Sequence, residues 1–438
     1  MNGFSKSLKI LFVNEYFYPF EPGGAEKSAY LLAKGLTERG HKVYVLTPNY
    51  GAKKAESIDG IRVVRYPFPK KIESGERLRG IYTITPLFDI YMLYNLNKVI
   101  KDIQPDIIHS QNSLSLYASV KAGKRNRIPV VHTIRDYDLL CPSASCLMDD
   151  EKIPAWCGRK MLWKRCSLLV MPPNEKLAFF KKLRIRFNHQ VHFSTAKIRN
   201  RKIKDLSCAF FVSRAIQNIY FSKLQLENLK SEIVYNLSGM NFEKNEEDIE
   251  KLKEKYALED KKLILIPGNI TYKKGSSIAL NTAKKISMKR KDIKFIFAGR
   301  KEMQIEEDTE GIVFTGYLPF EELVDLYHLS YLVVCPSIYQ EPFGRTAVEA
   351  MSCAVPVVAS NVGGYREIIE DGVNGILFER RNEDELFNIL IKLIDDADLR
   401  NRLAEECKRR IYEKFSSDSL INKTIELYQS LLSETNQR

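Results

Sequence analysis

Two series of short apolar runs alternate with helical spacing in this chain, one on either side of a strongly charged stretch. No other feature restricts the fold as much. Leu8 to Val13 is an apolar run, a loop leads to Gly23-Gly24, and Ala25 to Arg39 places Ala29, Leu32, Ala33 and Leu36 at helical spacing. Gly40 stops that helix and Val43 to Leu46 reads as a second strand, so the first 50 residues predict a β-α-β unit. Further strands are predicted at Ile61 to Arg65, Ile107-Ile108, Val130 to Thr133 and Ala209 to Val212, most of them far enough apart for a crossover. That is the pattern of a doubly wound parallel sheet. Between Asn241 and Lys262 the chain turns charged, and a second alternation follows. Its strands are predicted at Leu263 to Ile266, Phe295 to Ala298, Val313-Phe314, Tyr331 to Cys335 and Val357-Val358; its helices are predicted at Ser276 to Ile286, Glu321 to Leu329 and Gly344 to Ser352. Two α/β domains of this kind leave a central cleft facing the carboxyl ends of both sheets, where ligands of open sheets bind.

The charge is as unevenly placed as the apolar residues. The 438 residues carry 68 Lys+Arg against 55 Asp+Glu, a net +13. The segment from Arg159 to Lys204 holds 14 basic residues and one acidic residue, Glu175, which leaves the remainder balanced at 54 of each sign. A chain that reads a polyanion over its whole face would spread that excess. No recognised nucleic-acid fold accompanies it, so nucleic acid is not an expected partner. Lys176 to Phe187 puts Leu177, Phe180, Leu183 and Phe187 on one helical face among Lys181, Lys182, Arg184 and Arg186, the composition of a helix lying on an anionic membrane. The other reading is a basic surface helix whose apolar face packs on the core.

No apolar run reaches the ~18 residues needed to span a bilayer, and the nearest, Ile81 to Leu96, contains Pro86 and Asp89. Ile10 to Val13 is too short for a secretory signal, so the expected location is cytoplasmic, peripheral on the inner face of a membrane. The eight cysteines fit reduced thiols. Cys141, Cys146, Cys157 and Cys166 are separated by four, ten and eight residues, not a usual set of metal-ligand spacings, and no metal is expected.

The stretch most informative about chemistry runs from Pro336 to Met351. A predicted strand ends in a Pro- and Gly-containing turn, and a helix begins near Gly344 with free N–H groups and its positive dipole end directed into the cleft, a setting that suits a phosphate. Glu341 precedes that helix and Glu349 lies inside it, so the two carboxylates can accept hydrogen bonds from sugar hydroxyls several ångströms apart. Arg345 and Glu349 also have the spacing of an ordinary i,i+4 helix pair.

Glu341 to Glu349 resembles the E-x7-E motif of retaining glycosyltransferases of family 4, which have the GT-B fold of two Rossmann-like domains. The resemblance extends through Pro22-Gly23-Gly24-Ala25-Glu26, Pro105 to His109, Val212-Ser213, Tyr235-Asn236, Gly268 to Gly275, Phe297-Ala298-Gly299, Phe314 to Tyr317, Pro356 to Ser360, Gly363-Gly364 and Asn374-Gly375. It implies an acceptor domain over residues 1–242, a nucleotide-sugar donor domain over 243–415, and a final helix over 416–438 that crosses back to the first domain. It further implies that Glu349 takes the ribose, Glu341 a hydroxyl of the donor sugar, and the backbone at Phe343 and Gly344 the donor. Lys274 would neutralise the leaving diphosphate without a metal or other cofactor, while Gly23 and Gly24 approach the donor phosphate.

Two positions depart from the family. Asn269 stands where an arginine is usual, which removes one diphosphate-binding charge unless Lys273 or a residue elsewhere supplies it. Arg135 stands where a histidine is usual; it can stabilise an anionic leaving group but cannot act as a base at neutral pH. His109 and Asn112 are expected as acceptor or cleft contacts, and His132 as a core histidine within its strand. The expected activity is transfer of a sugar from a nucleotide diphosphate sugar to a hydroxyl of a glycan or lipid-linked acceptor. The alternative is a catalytically weak GT-B scaffold subunit of a membrane-associated assembly complex. A nicotinamide-dependent dehydrogenase is a poor fit, because no G-x-G-x-x-G follows the first strand.

Overall fold

The computed structural model describes residues 7–20, 23–73, 85–154, 157–166, 178–239, 242–305 and 310–436. Pro22, Ile81, Glu175, Lys176, Leu177 and Asn241, which enter the readings above, lie outside them.

The first domain is built on an eight-stranded sheet. Its strands are β1 (Lys9–Val13), β2 (Lys42–Pro48), β3 (Ala55–Ile58), β4 (Ile61–Tyr66), β5 (Ile107–Ser110), β6 (Val130–Ile134), β7 (Cys208–Phe211) and β8 (Ser231–Ile233), in the order β3-β4-β2-β1-β5-β6-β7-β8. All neighbours are parallel except the β3–β4 hairpin, which turns at Asp59-Gly60 with positive φ at both residues. Ile10, Leu11, Phe12 and Val13 are buried, as are Ile107 and Ile108 beside them. Continuous apolar runs of this kind are what a parallel sheet covered on both faces requires.

The second domain carries a six-stranded, wholly parallel sheet in the order β11-β10-β9-β12-β13-β14, formed by β9 (Lys262–Pro267), β10 (Ile293–Ala298), β11 (Ile312–Gly316), β12 (Ser330–Cys335), β13 (Val357–Ser360) and β14 (Gly375–Phe378). The charged stretch before it contains the helix Glu246–Tyr256, which buries Ile249, Leu252 and Tyr256; Tyr256 donates to Glu322 on the helix Phe320–Leu329.

The chain then returns to the first domain. Leu420, Ile421, Tyr428 and Leu431 of the final helix, Ser417–Asn436, pack in a cluster with Phe12, Leu32 and Phe210. A segment after β6 ties the domains from the other direction. Met148 sits in the apolar cluster of the second domain with Ile270 and Ile338, the Gln340 N–H donates to the Leu147 carbonyl at 2.9 Å, and Asp149 pairs with Arg381 at 2.7 Å. The loops after β1, β6, β9, β10 and β12 therefore face one another across a cleft of about 660 Å³.

Candidate functional site

Lys274 and Glu341 meet on the second-domain side of this cleft. The Lys274 ammonium lies 2.7 Å from Glu341 Oε2, which also accepts from the Ser337 hydroxyl at 3.0 Å. Their approach depends on the next residue, Gly275, whose φ is +70°; a Cβ there would stand 1.7 Å from the Pro336 carbonyl oxygen. Glycine thus lets the loop after β9 press against the loop after β12 and bring the cation to the carboxylate.

Glu349 is buried one helical turn beyond Arg345. Tyr327 donates its hydroxyl to Oε2 at 2.9 Å, and Arg345 Nε donates to Oε1 at 2.5 Å. Burial and the Glu349 charge hold the Tyr327 phenol well above its ordinary pKa, so it remains a donor. Arg345 does more than close an i,i+4 pair: its Nη1 crosses the cleft to the Gly24 carbonyl at 2.7 Å. Gly23 and Gly24 line the first-domain wall at the start of the helix Gly24–Glu38.

The turn that starts the helix Arg345–Ser352 needs glycine for a second reason. Gly344 has φ +107°, and a Cβ would reach 2.5 Å from the Tyr365 ring. Phe343 is turned away into an aromatic stack with Tyr235, centroids 5.7 Å apart, so its backbone rather than its ring borders the cleft. The first N–H groups of a helix have no acceptor within it, and Arg345 and Thr346, which begin this one, line the same cleft as Lys274.

Arg135 lines the opposite wall, donating from Nε to Asn236 at 3.0 Å and from Nη1 to the Gln111 carbonyl at 2.7 Å. Burial lowers its pKa to about 10, against the pull of Glu26 and Asp136, and it remains a cation at neutral pH. Asn269 is also in the cleft and donates to Glu302 at 3.0 Å. Lys273 does not supply the charge absent at Asn269. It is directed away to the Ser143 carbonyl of the first domain.

Two expected contacts are corrected. His109 is fully buried: Nδ1 meets the Tyr428 hydroxyl at 2.5 Å, Nε2 meets the Thr133 hydroxyl at 2.7 Å, and the rings of Phe12, Phe210 and Tyr428 enclose it. Burial pulls its pKa well down, so it is a neutral fastener for the final helix rather than a cleft residue. Asn112 is not among the cleft residues either; its Oδ1 accepts from the Ser115 N–H at 3.1 Å and shapes the turn into the helix Leu116–Asn126. His132 is buried in β6 against Ser110 at 2.8 Å, its pKa lowered to about 3 by burial and then by Arg135. Cys141 and Cys166 pack with Leu162 and Phe193, and burial raises the Cys146 thiol to about 12.

Sequence reasoning missed Arg300 and the wall formed by Tyr317, Leu318, Pro319 and Phe320, all of which line the cleft. Arg300 directly follows Gly299 at the carboxyl end of β10, the strand end at which ligands of such sheets bind, and that position was the available signal.

Known proteins agree with this arrangement. Residues 22–237 match the family model for Glycosyltransferase Family 4, and residues 248–410 match that for Glycosyl transferases group 1. An uncharacterised glycosyltransferase of Methanocaldococcus jannaschii, MJ1607, is 25% identical over 96% of this chain and 98% of its own length. CapM of Staphylococcus aureus, a capsular polysaccharide biosynthesis glycosyltransferase, is 28% identical over 50% of this chain and 60% of its own. Among solved structures, Anabaena HepE in complex with UDP and glucose superposes with a TM-score of 0.68 at 20% identity, covering 97% of this chain and all of that one. The catalytic domain of starch synthase IV from Arabidopsis thaliana, bound to ADP and acarbose, gives 0.70 at 16% identity over 98% of this chain and all of its own. With two family models matched in succession on two such domains, the chain belongs to the GT-B glycosyltransferases of the family 4 type.

Proposed function

We propose that this glycosyltransferase moves a hexose-like sugar from a nucleotide diphosphate sugar to a hydroxyl of a glycan or lipid-linked acceptor, with retention of configuration and without a metal. The observation that carries the reading is the Lys274–Glu341 pair beside the amino end of the helix Arg345–Ser352. A diphosphate seated there meets a cation and helix N–H groups, and a sugar beyond it meets a carboxylate. Lys274 offsets the charge that develops on the departing diphosphate, and Arg135 adds to the field from the other wall. The diphosphate oxygen can take the acceptor proton as the glycosidic bond breaks, so no protein base is required. Gathering these groups in one cleft favours an enzyme over a scaffold subunit. With UDP- and GDP-sugars, turnover in excess EDTA is expected to stay within about twofold of the untreated rate, and NMR of the product is expected to show the donor's anomeric configuration. Loss of turnover in EDTA, or an inverted product, overturns those two elements of the reading.

Among the described residues no helix is long and apolar enough to cross a membrane. Ten of the fourteen exposed large apolar side chains there nevertheless lie on three first-domain helices, Pro86–Ile103, Arg159–Lys164 and Phe179–Asn200. Phe179, Phe180, Leu183 and Phe187 are 71%, 80%, 41% and 56% exposed, so this apolar face does not pack on the core. Lys181, Lys182, Arg184 and Arg186 accompany it, which fits an anionic bilayer as the surface that presents a lipid-linked acceptor. Phe179→Ser/Phe180→Ser is expected to lower partitioning onto phosphatidylglycerol vesicles by about three orders of magnitude, since burying each phenyl group is worth roughly 2 kcal/mol and every ~1.4 kcal/mol is tenfold. Unchanged sedimentation of that variant, or equal binding of wild type to neutral vesicles, counts against the membrane.

A further inference from the structure

We infer that Arg300 reads the base of the donor nucleotide and selects a base with carbonyl acceptors on its edge, guanine or uracil, over adenine. The inference rests on the nucleotide-sugar reading above and adds to it a residue that decides which donor is accepted.

The cleft has an order. Tyr317, Leu318, Pro319 and Phe320 make its apolar wall, the surface a planar base needs on one face. Arg345 lies over the Phe320 ring at 5.8 Å and holds Glu349, the acceptor for ribose hydroxyls. Lys274 and Glu341 stand elsewhere in the same cleft, beside Tyr339. Base, ribose and diphosphate therefore each have a place, and the base lies at the Tyr317 end.

Arg300 is at that end. Its guanidinium carbon sits 4.8 Å from the centre of the Tyr317 ring, so the aromatic face supports the cation. Its neighbour Glu302 is engaged by Asn269, and Arg300 makes no ion pair among the described residues. A half-buried guanidinium with its donors uncommitted, lining the cleft at the end of a strand, is equipped to bind a ligand. Guanidinium is a planar, donor-only fork. It pairs with O6 and N7 of guanine or with O4 of uracil, whereas adenine presents an amino donor at the equivalent place.

The test is isothermal titration of wild type, Arg300→Ala and Arg300→Lys with UDP, GDP, ADP and inorganic pyrophosphate. Wild type is expected to bind UDP or GDP at least tenfold more tightly than ADP. Arg300→Ala is expected to weaken the preferred nucleotide by roughly tenfold to a hundredfold while ADP and pyrophosphate stay within about twofold. Arg300→Lys keeps a donor-only cation that can still meet O6 or O4 but loses the planar fork, and is expected to retain part of the preference. Preference for ADP in wild type, a preference unchanged in Arg300→Ala, or equal weakening of all three nucleotides and pyrophosphate overturns the inference; the last result makes Arg300 a phosphate contact. Wild type that binds none of the nucleotides overturns the nucleotide-sugar reading and this inference together, whereas nucleotide binding with an Arg300-independent preference overturns this inference alone.

Discussion

Lys274→Ala is expected to lower the rate of sugar transfer by about two to three orders of magnitude with the protein still folded. The size follows from what one preorganised donor is worth when charge develops beside it in a site shielded from water. Lys274 suits that role because its side chain remains 39% exposed to the cleft while its ammonium is held 2.7 Å from Glu341. The pair raises a question a single substitution cannot answer, since losing Lys274 also leaves the Glu341 carboxylate with the Ser337 hydroxyl but without its counter-ion. A double-mutant cycle separates the two effects. If Lys274 serves the leaving diphosphate, Lys274→Ala/Glu341→Ala is slower than Glu341→Ala alone, itself expected to be nearly inactive. If Lys274 only positions Glu341, the double variant is no slower than Glu341→Ala. Transfer by Lys274→Ala within about fivefold of wild type would remove it from the chemistry.

Both domains were legible because parallel strands must be apolar on both faces, and runs such as Ile264 to Ile266 or Val357-Val358 leave little other choice. The strands that escaped notice were the edge strands β3, β8 and β14: Ala55-Glu56-Ser57-Ile58 needs no such pattern, the three-residue β8 is too short to show one, and the four-residue β14 follows directly on a Gly-containing turn. Asp59-Gly60, both with positive φ, is a hairpin signal in the sequence that went unread. Glu341, Glu349 and Lys274 were visible because each lies within a few residues of the turn that aims it. His109 shows the limit of that logic. A strand-end position is shared by residues pointing into the cleft and residues pointing under the sheet, and His109 is decided by Tyr428, 319 residues away. Arg300 is similar, since its place depends on stacking with Tyr317 from a different loop.

Asp89→Ala is expected to destabilise the first domain by about 3–5 kcal/mol, the usual result of removing one partner of a buried ion pair. Asp89 lies in the first turn of the helix Pro86–Ile103, where Pro86 serves as a first-turn residue rather than a break. Arg199 lies near the end of the helix Phe179–Asn200. Their side chains are 2% and 1% exposed, and Arg199 Nε reaches both carboxylate oxygens at 2.9 and 3.1 Å. Asp89 shares the buried side of this helix with Phe88, Met92, Leu96 and Ile100, while Leu87 and Ile90 are exposed. Burial pushes the Asp89 carboxyl up to about 6, with Arg199 pulling it the other way. Its folded pKa thus lies above the ordinary unfolded value near 3.9. The folded state binds that proton more tightly, so the group's contribution to stability is complete below about pH 4 and is lost as pH rises through about 6. Asp89→Asn removes this titration, and the margin in Tm of wild type over Asp89→Asn is expected to narrow between pH 4 and 7. A margin that widens over that range would mean Asp89 ionises more readily in the fold than out of it. The pair would then contribute net stability, whereas a narrowing margin leaves it costly to break yet of little net benefit to form.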